Sequence, residues 1–269
     1  MTIAKALTIA GSDTSGGAGM QADLKTFQEL GVYGMTALTV IVAQNPANNW
    51  SHDIYPLAPE ALEAQLETVL AGIGVDALKT GMLGTMELIA LAARKIDQYK
   101  VKNVVIDPVM VCKGTDEVLN PESATGIRDQ LVPRATVVTP NVFEASQLSG
   151  VKIQSVEDMK TAAVKIHALG AKHVIIKGGA KLGTATAVDI LYDGRDFTTL
   201  ESPKIETAYI HGAGCTFSAA VTAELAKGRP VREAVMLAKR FVTAAIRQGF
   251  PLNSYVGPTW HGAYRAAAN

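Results

Sequence analysis

Short apolar runs alternate with helical patterns almost from end to end of this chain, the arrangement of a parallel sheet flanked by helices. Residues 6–10 read as a first strand and 11–19 as a glycine-rich turn. Residues 20–30 have helical character and stop at Gly31, a residue that accepts the left-handed conformation closing many helices. Residues 35–42 read as a second, buried strand. Leu62, Leu66, Val69, Leu70 and Ile73 fall on one helical face, as do Met159, Ala162, Ala163, Ile166 and Leu169; Gly170 and a strand over 173–177 follow the second set. Residues 77–80, 104–106 and 137–139 are three more short strands, each ending in side chains capable of chemistry.

Residues 188–191 and 197–200 flank a segment containing Asp193-Gly194, a strong hairpin signal, so the expected sheet is mostly parallel with one antiparallel hairpin. Two helices follow, over 216–227 and 231–247, divided by Gly228-Arg229-Pro230. The fold class is α/β, read as a single domain over residues 1–269, with the polar stretch 114–120 as a mobile loop near the site. Lys plus Arg (25) balances Asp plus Glu (25), which argues against nucleic acid or an anionic membrane as partner. Apolar runs long enough to span a membrane are absent, and the first residues do not resemble a leader, so a cytoplasmic protein acting on small molecules is expected. The 2 cysteines lack zinc-site spacing and fit a reduced compartment, where each needs its own explanation.

The candidate chemistry centres on His211-Gly212-Ala213-Gly214-Cys215. Glycines at a helix start let an anion approach, and the N–H groups of Ala213, Gly214, Cys215 and Thr216 can meet it with the positive end of the helix dipole. The same field should favour the thiolate of Cys215, with His211 relaying protons or supporting that thiol. Asp107, at the end of a strand, joins Asn141 and Glu144, which open a helix, as oxygen ligands for magnesium. Asn and Glu there also suit simple helix capping. Lys177-Gly178-Gly179-Ala180-Lys181 closes a strand with two cations and suits a triphosphate. The common Gly-x-x-x-x-Gly-Lys-Ser/Thr loop is absent, so phosphate binding falls to the turn before Cys215.

Gly11-Ser-Asp13-Thr-Ser-Gly-Gly-Ala-Gly19, Gln21-Ala-Asp23-Leu-Lys-Thr26, Lys79-Thr-Gly-Met82, Asp107-Pro-Val-Met-Val111, Thr139-Pro-Asn141-Val-Phe-Glu144-Ala145, Lys177-Gly-Gly179 and the run at His211 stand in one order. In that order they resemble the hydroxymethylpyrimidine kinase branch of the ribokinase superfamily, and within it the bacterial pyridoxal kinases with two active-site cysteines. The resemblance implies a three-layer ribokinase-like fold, ATP with Mg2+, and phosphoryl transfer to a hydroxymethyl group on a heteroaromatic ring. It also implies a cytoplasmic homodimer whose substrates are pyridoxal and related B6 vitamers. By the same resemblance, Cys112 adds to the pyridoxal aldehyde as a hemithioacetal, and Cys215 stands where many relatives have an aspartate base. Substrate contacts are implied for Gly11, Asp13, Asp23, Gln44, Met82 and Val109. Nucleotide contacts are implied for Asn141, Lys177, Gly178, Gly179, Lys181, Asp189, Gly212, Ala213, Gly214 and Lys239, with Asp107 and Glu144 at the metal. His52 and Trp50 belong to a segment able to close over the ring, with core packing as the other role for the tryptophan. Two rivals remain: a kinase of hydroxymethylpyrimidine and its monophosphate, and a vitamin-binding protein that has lost turnover.

Overall fold

In the computed structural model, which describes residues 2–110, 121–180 and 182–266, the expected alternation becomes one open sheet. Its strands are β1 (Lys5–Asp13), β2 (Tyr33–Asn45), β3 (Ser51–Pro56), β4 (Ala77–Thr80), β5 (Val104–Ile106), β6 (Val137–Val138), β7 (Val174–Lys177), β8 (Ala187–Tyr192) and β9 (Phe197–Ser202). They lie in the order β3-β2-β1-β4-β5-β6-β7-β8-β9. From β2 across to β7 neighbouring strands run parallel. At the edges β3 pairs with β2, and β8 with β7 and β9, in antiparallel fashion. The β8–β9 hairpin turns where Asp193-Gly194 predicts it, with Asp193 Oδ1 accepting from the N–H groups of Arg195 and Asp196.

Helices cover both faces, which is why the inner strands read as unbroken apolar runs. On one face lie α2 (Pro59–Leu66), α3 (Met86–Gln98), α4 (Pro121–Gly126), α5 (Val142–Ser149) and α6 (Val156–Ala168). Leu62, Leu88, Leu148 and Met159 carry four of them into a core shared with Leu7, Leu78 and Ile106 of the sheet. The other face holds α1 (Gly19–Glu29), α7 (Ala213–Ala226) and α8 (Val231–Arg247). There Phe217, Ala220 and Phe241 pack on Ala77, Val105 and Val137, while Phe27 meets Ala219 and Ala223. Ala219, Ala220 and Ala223 allow α7 to lie buried on nearly all sides between α1, α8 and the sheet. The expected three-layer α/β arrangement, mostly parallel with an antiparallel hairpin, is present.

Several boundaries differ from expectation for physical reasons. Gly11, Ser12 and Asp13, expected in a turn, continue β1 after a register shift against β2 between Ala10 and Ser12. β3 was missed because it is polar; it exists because β2 runs on past Val42 and offers it a ladder, with Gln44 opposite His52. Beyond Leu66 the helix widens into a π turn, Glu67–Ile73, which leaves Ile73 48% exposed instead of on the core face. Trp50 is half-buried at the start of β3 and stacks on Tyr255, so it belongs neither to the core nor to the cavity lining. The stretch 114–120, Cys112 and Lys181 lie outside the described residues.

The chain goes from β1 to β2 on one side and returns through β4 on the other, so the strand order reverses between β1 and β4. In open α/β sheets ligands sit beyond the carboxyl ends of strands at such a reversal.

Candidate active site

A cavity of about 560 Å³ opens there. β1 contributes Gly11 and Asp13, the segment after β4 Met82, and the segment after β5 Asp107 and Val109. From β2 comes Gln44, from the start of α5 Asn141 and Glu144, from the end of β7 Lys177, and from the start of α7 Gly212 to Cys215. The structure therefore gathers most of the residues singled out in the sequence into one place.

Within this lining Asp13 acts as a hub. Its Oδ1 accepts from the Gln44 side-chain amide at 3.0 Å and the Ser15 N–H at 2.9 Å. Its Oδ2 accepts from the Ala18 N–H at 2.8 Å and lies 2.7 Å from His211 Nε2. Burial opposes the charge on Asp13, yet the His211 and Ser15 hydrogen bonds hold its carboxyl well below the usual range. Gln44 is thus fixed by its NH2 group, which directs its carbonyl oxygen to other partners. Met82 and Val109 add apolar wall, and His52, the cross-strand neighbour of Gln44, joins the lining.

Next to this hub, α7 begins at a glycine for which no other residue can substitute. Gly212 has φ +80°, and a Cβ there would fall 1.8 Å from the Gly17 carbonyl oxygen. A Cβ on Gly17 would in turn fall 2.5 Å from the His211 ring, so the turns before α1 and α7 interlock. Of the four N–H groups expected to meet an anion, that of Ala213 goes to Ile210 O and that of Thr216 to Gly212 O. Gly214 and Cys215, which carry the other two, both line the cavity. Lys177 stands beside them; its Nζ would lie 3.5 Å from a Cβ on Gly214 and is 3.3 Å from Asp107 Oδ1. Burial works against its charge, but Asp107 and Glu144 keep the ammonium protonated above its usual range. Asp107 also accepts from Thr139 Oγ1 at 3.2 Å and from Ser218 Oγ at 3.0 Å. Asn141 and Glu144 form a capping box on α5, as their spacing suggests, while both line the cavity.

Several expectations need correction. Asp23, read as a substrate contact, is fully buried; its Oδ1 takes Lys79 Nζ at 2.8 Å and its Oδ2 takes Thr8 Oγ1 at 2.6 Å. Asp189 and Lys239, read as nucleotide contacts, are buried against each other at 2.7 Å, away from the lining. Asp189 Oδ1 accepts from the Gly178 N–H at 3.0 Å and the Gly179 N–H at 3.4 Å, so the pair supports the turn after Lys177 from behind. Gly178 and Gly179 also stand outside the lining. His211 bonds to Asp13, not to the thiol it was expected to support. The thiolate of Cys215 is not favoured: burial pushes the thiol up to about 12, although Lys79 and the Gly19 N–H pull it down.

Lys79 stands in one of the motifs quoted from the sequence but was assigned no task there. It is fully buried yet lines the cavity, and it reads in the sequence as one cation inside an apolar strand, Ala77-Leu-Lys79-Thr. That signal was available, because a lysine in a buried strand demands a carboxylate partner. Ser218 and Thr139, the partners of Asp107, lie in quoted motifs but were given no task, since small hydroxyl residues are common in helices and at strand ends.

The phosphomethylpyrimidine kinase family model matches residues 13–260. The chain is 64% identical to a pyridoxine kinase of Bacillus subtilis (strain 168) over 98% of each chain. It is similar to the ADP complex of Bacillus subtilis pyridoxal kinase, with a TM-score of 0.95 and 64% identity over 98% of this chain and 99% of that one. It is also similar to the Staphylococcus aureus pyridoxal kinase in complex with AMP-PCP and pyridoxal, with a TM-score of 0.93 and 53% identity over 98% and 96% of the two chains.

Proposed function

We propose, for a chain that belongs to the phosphomethylpyrimidine kinase family, that it transfers the γ-phosphoryl group of ATP to the hydroxymethyl group of pyridoxal in vitamin B6 salvage, with pyridoxine and pyridoxamine as further substrates. The observation that carries this reading is the mixed lining of the one cavity. Gln44, Met82 and Val109, which suit a heteroaromatic ring, share one cavity with Lys177 and the start of α7, which suit an anion. The pyridoxine kinase at 64% identity and the kinase bound to AMP-PCP and pyridoxal support the same pair of substrates.

Each residue has a definite task in this reading. Asp13 locks the Gln44 amide so that its carbonyl oxygen accepts from a donor on the ring, and Met82 and Val109 exclude water from the ring's edge. Phosphoryl transfer through a loose transition state depends mostly on placement and charge stabilisation. The positive end of α7 and the ammonium of Lys177 supply that stabilisation to the phosphates. Cys215 assists removal of the alcohol proton as a thiolate, a form that Lys79 favours and burial opposes. Because the alcohol need not be strongly activated in a loose transition state, a sparse thiolate suffices. Cys112 adds to the pyridoxal aldehyde: the sulfur–carbon bond forms, the carbonyl oxygen takes the thiol's proton, and the ring is held as a hemithioacetal.

Magnesium takes one or two carboxylates and keeps its remaining places for water and phosphate oxygens. Asp107 and Glu144, two carboxylates on one cavity beside Lys177, fit that requirement. Bound there, the ion would neutralise charge on the phosphates. Thr139, Ser218 and Lys177 hold the Asp107 carboxylate in place. The reading includes Lys181 as a nucleotide contact and a cytoplasmic homodimer. No helix among the described residues is long and apolar enough to cross a membrane.

A second reading, a hydroxymethylpyrimidine and phosphomethylpyrimidine kinase of thiamin synthesis, draws on the family model itself. The two differ at Cys112, because the pyrimidine alcohol has no aldehyde. The test is the ratio of kcat/KM for pyridoxal to that for hydroxymethylpyrimidine, in the unaltered protein and in Cys112→Ala. The ratio is expected to favour pyridoxal and to fall by about tenfold or more in the variant, the loss of one orienting interaction. An unchanged ratio rejects the hemithioacetal, and one favouring the pyrimidine in both proteins selects the second reading.

A further inference from the structure

Side chains alternate across a strand, so Thr8 of β1, Lys79 of β4 and Asp107 after β5 share the sheet face of Ala6, Ala77 and Val105, the face that carries α1 and α7. On that face Lys79 is fully buried, yet it lines the cavity together with Cys215. A Cβ on Gly81 would sit 3.8 Å from its Nζ. Asp23 of α1 grips the ammonium at 2.8 Å and is itself gripped by Thr8 at 2.6 Å, so this cation cannot swing toward a ligand. Asp23 stands outside the cavity lining, and packing alone gives no reason for an ion pair here. Removing two charges from water costs more than most such pairs return.

We propose that Lys79 is a positioning residue: pinned by Asp23, its ammonium is the fixed positive charge that favours negative charge at Cys215, and Asp23 limits how far it does so. The charged groups that bear on Cys215 come from every neighbouring element: Lys79 from β4, Asp23 from α1, Asp107 after β5 and Lys177 at the end of β7. Burial pushes the thiol up most; Lys79 pulls it down against that effect, and Asp23 and Asp107 add to it. Lys79 keeps its own proton although burial opposes it, because Asp23, Cys215 and Asp107 all favour its charge. The pair thus gives the reacting end of the cavity a built-in field that no bound ligand has to provide. The inference rests on Cys215 as the acceptor-side group of the proposed kinase, but it can be read without substrate.

The test is alkylation of Cys215 by iodoacetamide between about pH 7 and 10, with no nucleotide or pyridoxal present. The peptide bearing Cys215 is quantified by mass spectrometry, which separates it from Cys112. Four proteins are compared: the parent, Asp23→Asn, Lys79→Met and the double variant, each checked for native circular dichroism. Removing Asp23's charge is expected to speed alkylation at pH 8 by about tenfold, one pKa unit, and to move the profile to lower pH. Removing Lys79's charge is expected to slow it by about as much, and the double variant should return toward the parent. Profiles that coincide in folded Asp23→Asn, Lys79→Met and parent, or that move the same way in both, overturn the proposal. If Lys79→Met does not fold, Asp23→Asn against the double variant decides alone: faster alkylation in Asp23→Asn supports the proposal, and equal rates overturn it. Alkylation that stays flat while pyridoxal is still phosphorylated rejects the role of Lys79 and leaves the kinase reading standing. Shifted alkylation in a protein without kinase activity does the reverse.

Discussion

Lys79 and Lys177 enter the same cavity from parallel strands and each faces an aspartate, yet the two pairs are built for opposite tasks. The Lys79–Asp23 pair is 2.8 Å long with both side chains at 0% exposure. The Lys177–Asp107 pair is 3.3 Å long, and the Lys177 side chain remains 15% exposed beside Gly214. A sealed pair cannot change partners without leaving an uncompensated buried charge, so it acts as part of the scaffold and contributes a field. A loose pair at the cavity edge can share its cation with an incoming anion, while Thr139 and Ser218 keep the carboxylate in place. The difference between scaffold and ligand-binding group lies in closure, because the residue types are the same.

The sharpest way to break this contrast is to remove each cation and compare outcomes. Lys177→Met is expected to lower kcat by about 10²–10³, the cost of losing a donor aimed at developing charge, with little loss of stability. A kcat within threefold of the parent's in steady-state assays would place Lys177 with the scaffold. Asp23→Ala should show the opposite balance: it leaves a buried ammonium unpaired and costs about 3–5 kcal/mol in urea unfolding. A smaller loss than that in Asp107→Ala would reverse the assignment.

Cys215 sharpens the contrast through pH. The folded protein holds the thiol's proton up to about 12, whereas an unfolded thiol releases it near 9.0. The unfolded state therefore binds fewer protons between those values, and stability must fall as pH rises through that window. The contribution is fully present below pH 9.0. Denaturant titrations of the parent should decline more steeply there than those of Cys215→Ser, and parallel slopes would show that the thiol is not held in this way. The smallest effect is expected at Lys239, whose partner Asp189 steadies the turn at Gly178 and Gly179. Lys239→Gln should raise KM for ATP by up to about tenfold, the weight of one or two hydrogen bonds, and leave KM for pyridoxal unchanged.

The sheet was largely legible from the sequence because its inner strands are buried on both faces, so their apolar runs are unbroken. β3 was not, since a polar edge strand exists only through the ladder that β2 extends to it. In the site, the cavity-lining positions Asp107 and Lys177 could be read from motifs at strand ends, and Gln44 and Met82 from the family resemblance. Asp23, Asp189 and Lys239 carry the same residue types and sit in equally suggestive places, but the structure turns them inward. Nothing in a motif separates a carboxylate that meets a ligand from one that meets a lysine behind it. Burial decides, and burial follows from which neighbouring helix closes over the strand. The expectation of a favoured Cys215 thiolate erred similarly, since a helix N-terminus lowers a thiol's pKa but the partial desolvation of this half-buried thiol raises it further.

The most direct measurement is a rapid-quench single turnover with enzyme in excess over pyridoxal and ATP labelled in its γ-phosphate. The account predicts label in pyridoxal 5'-phosphate in amount equal to the pyridoxal supplied, with the burst slowed about 10²–10³-fold in Lys177→Met. Unlabelled pyridoxal after incubation with folded parent protein, or equal bursts from parent and variant, would contradict it.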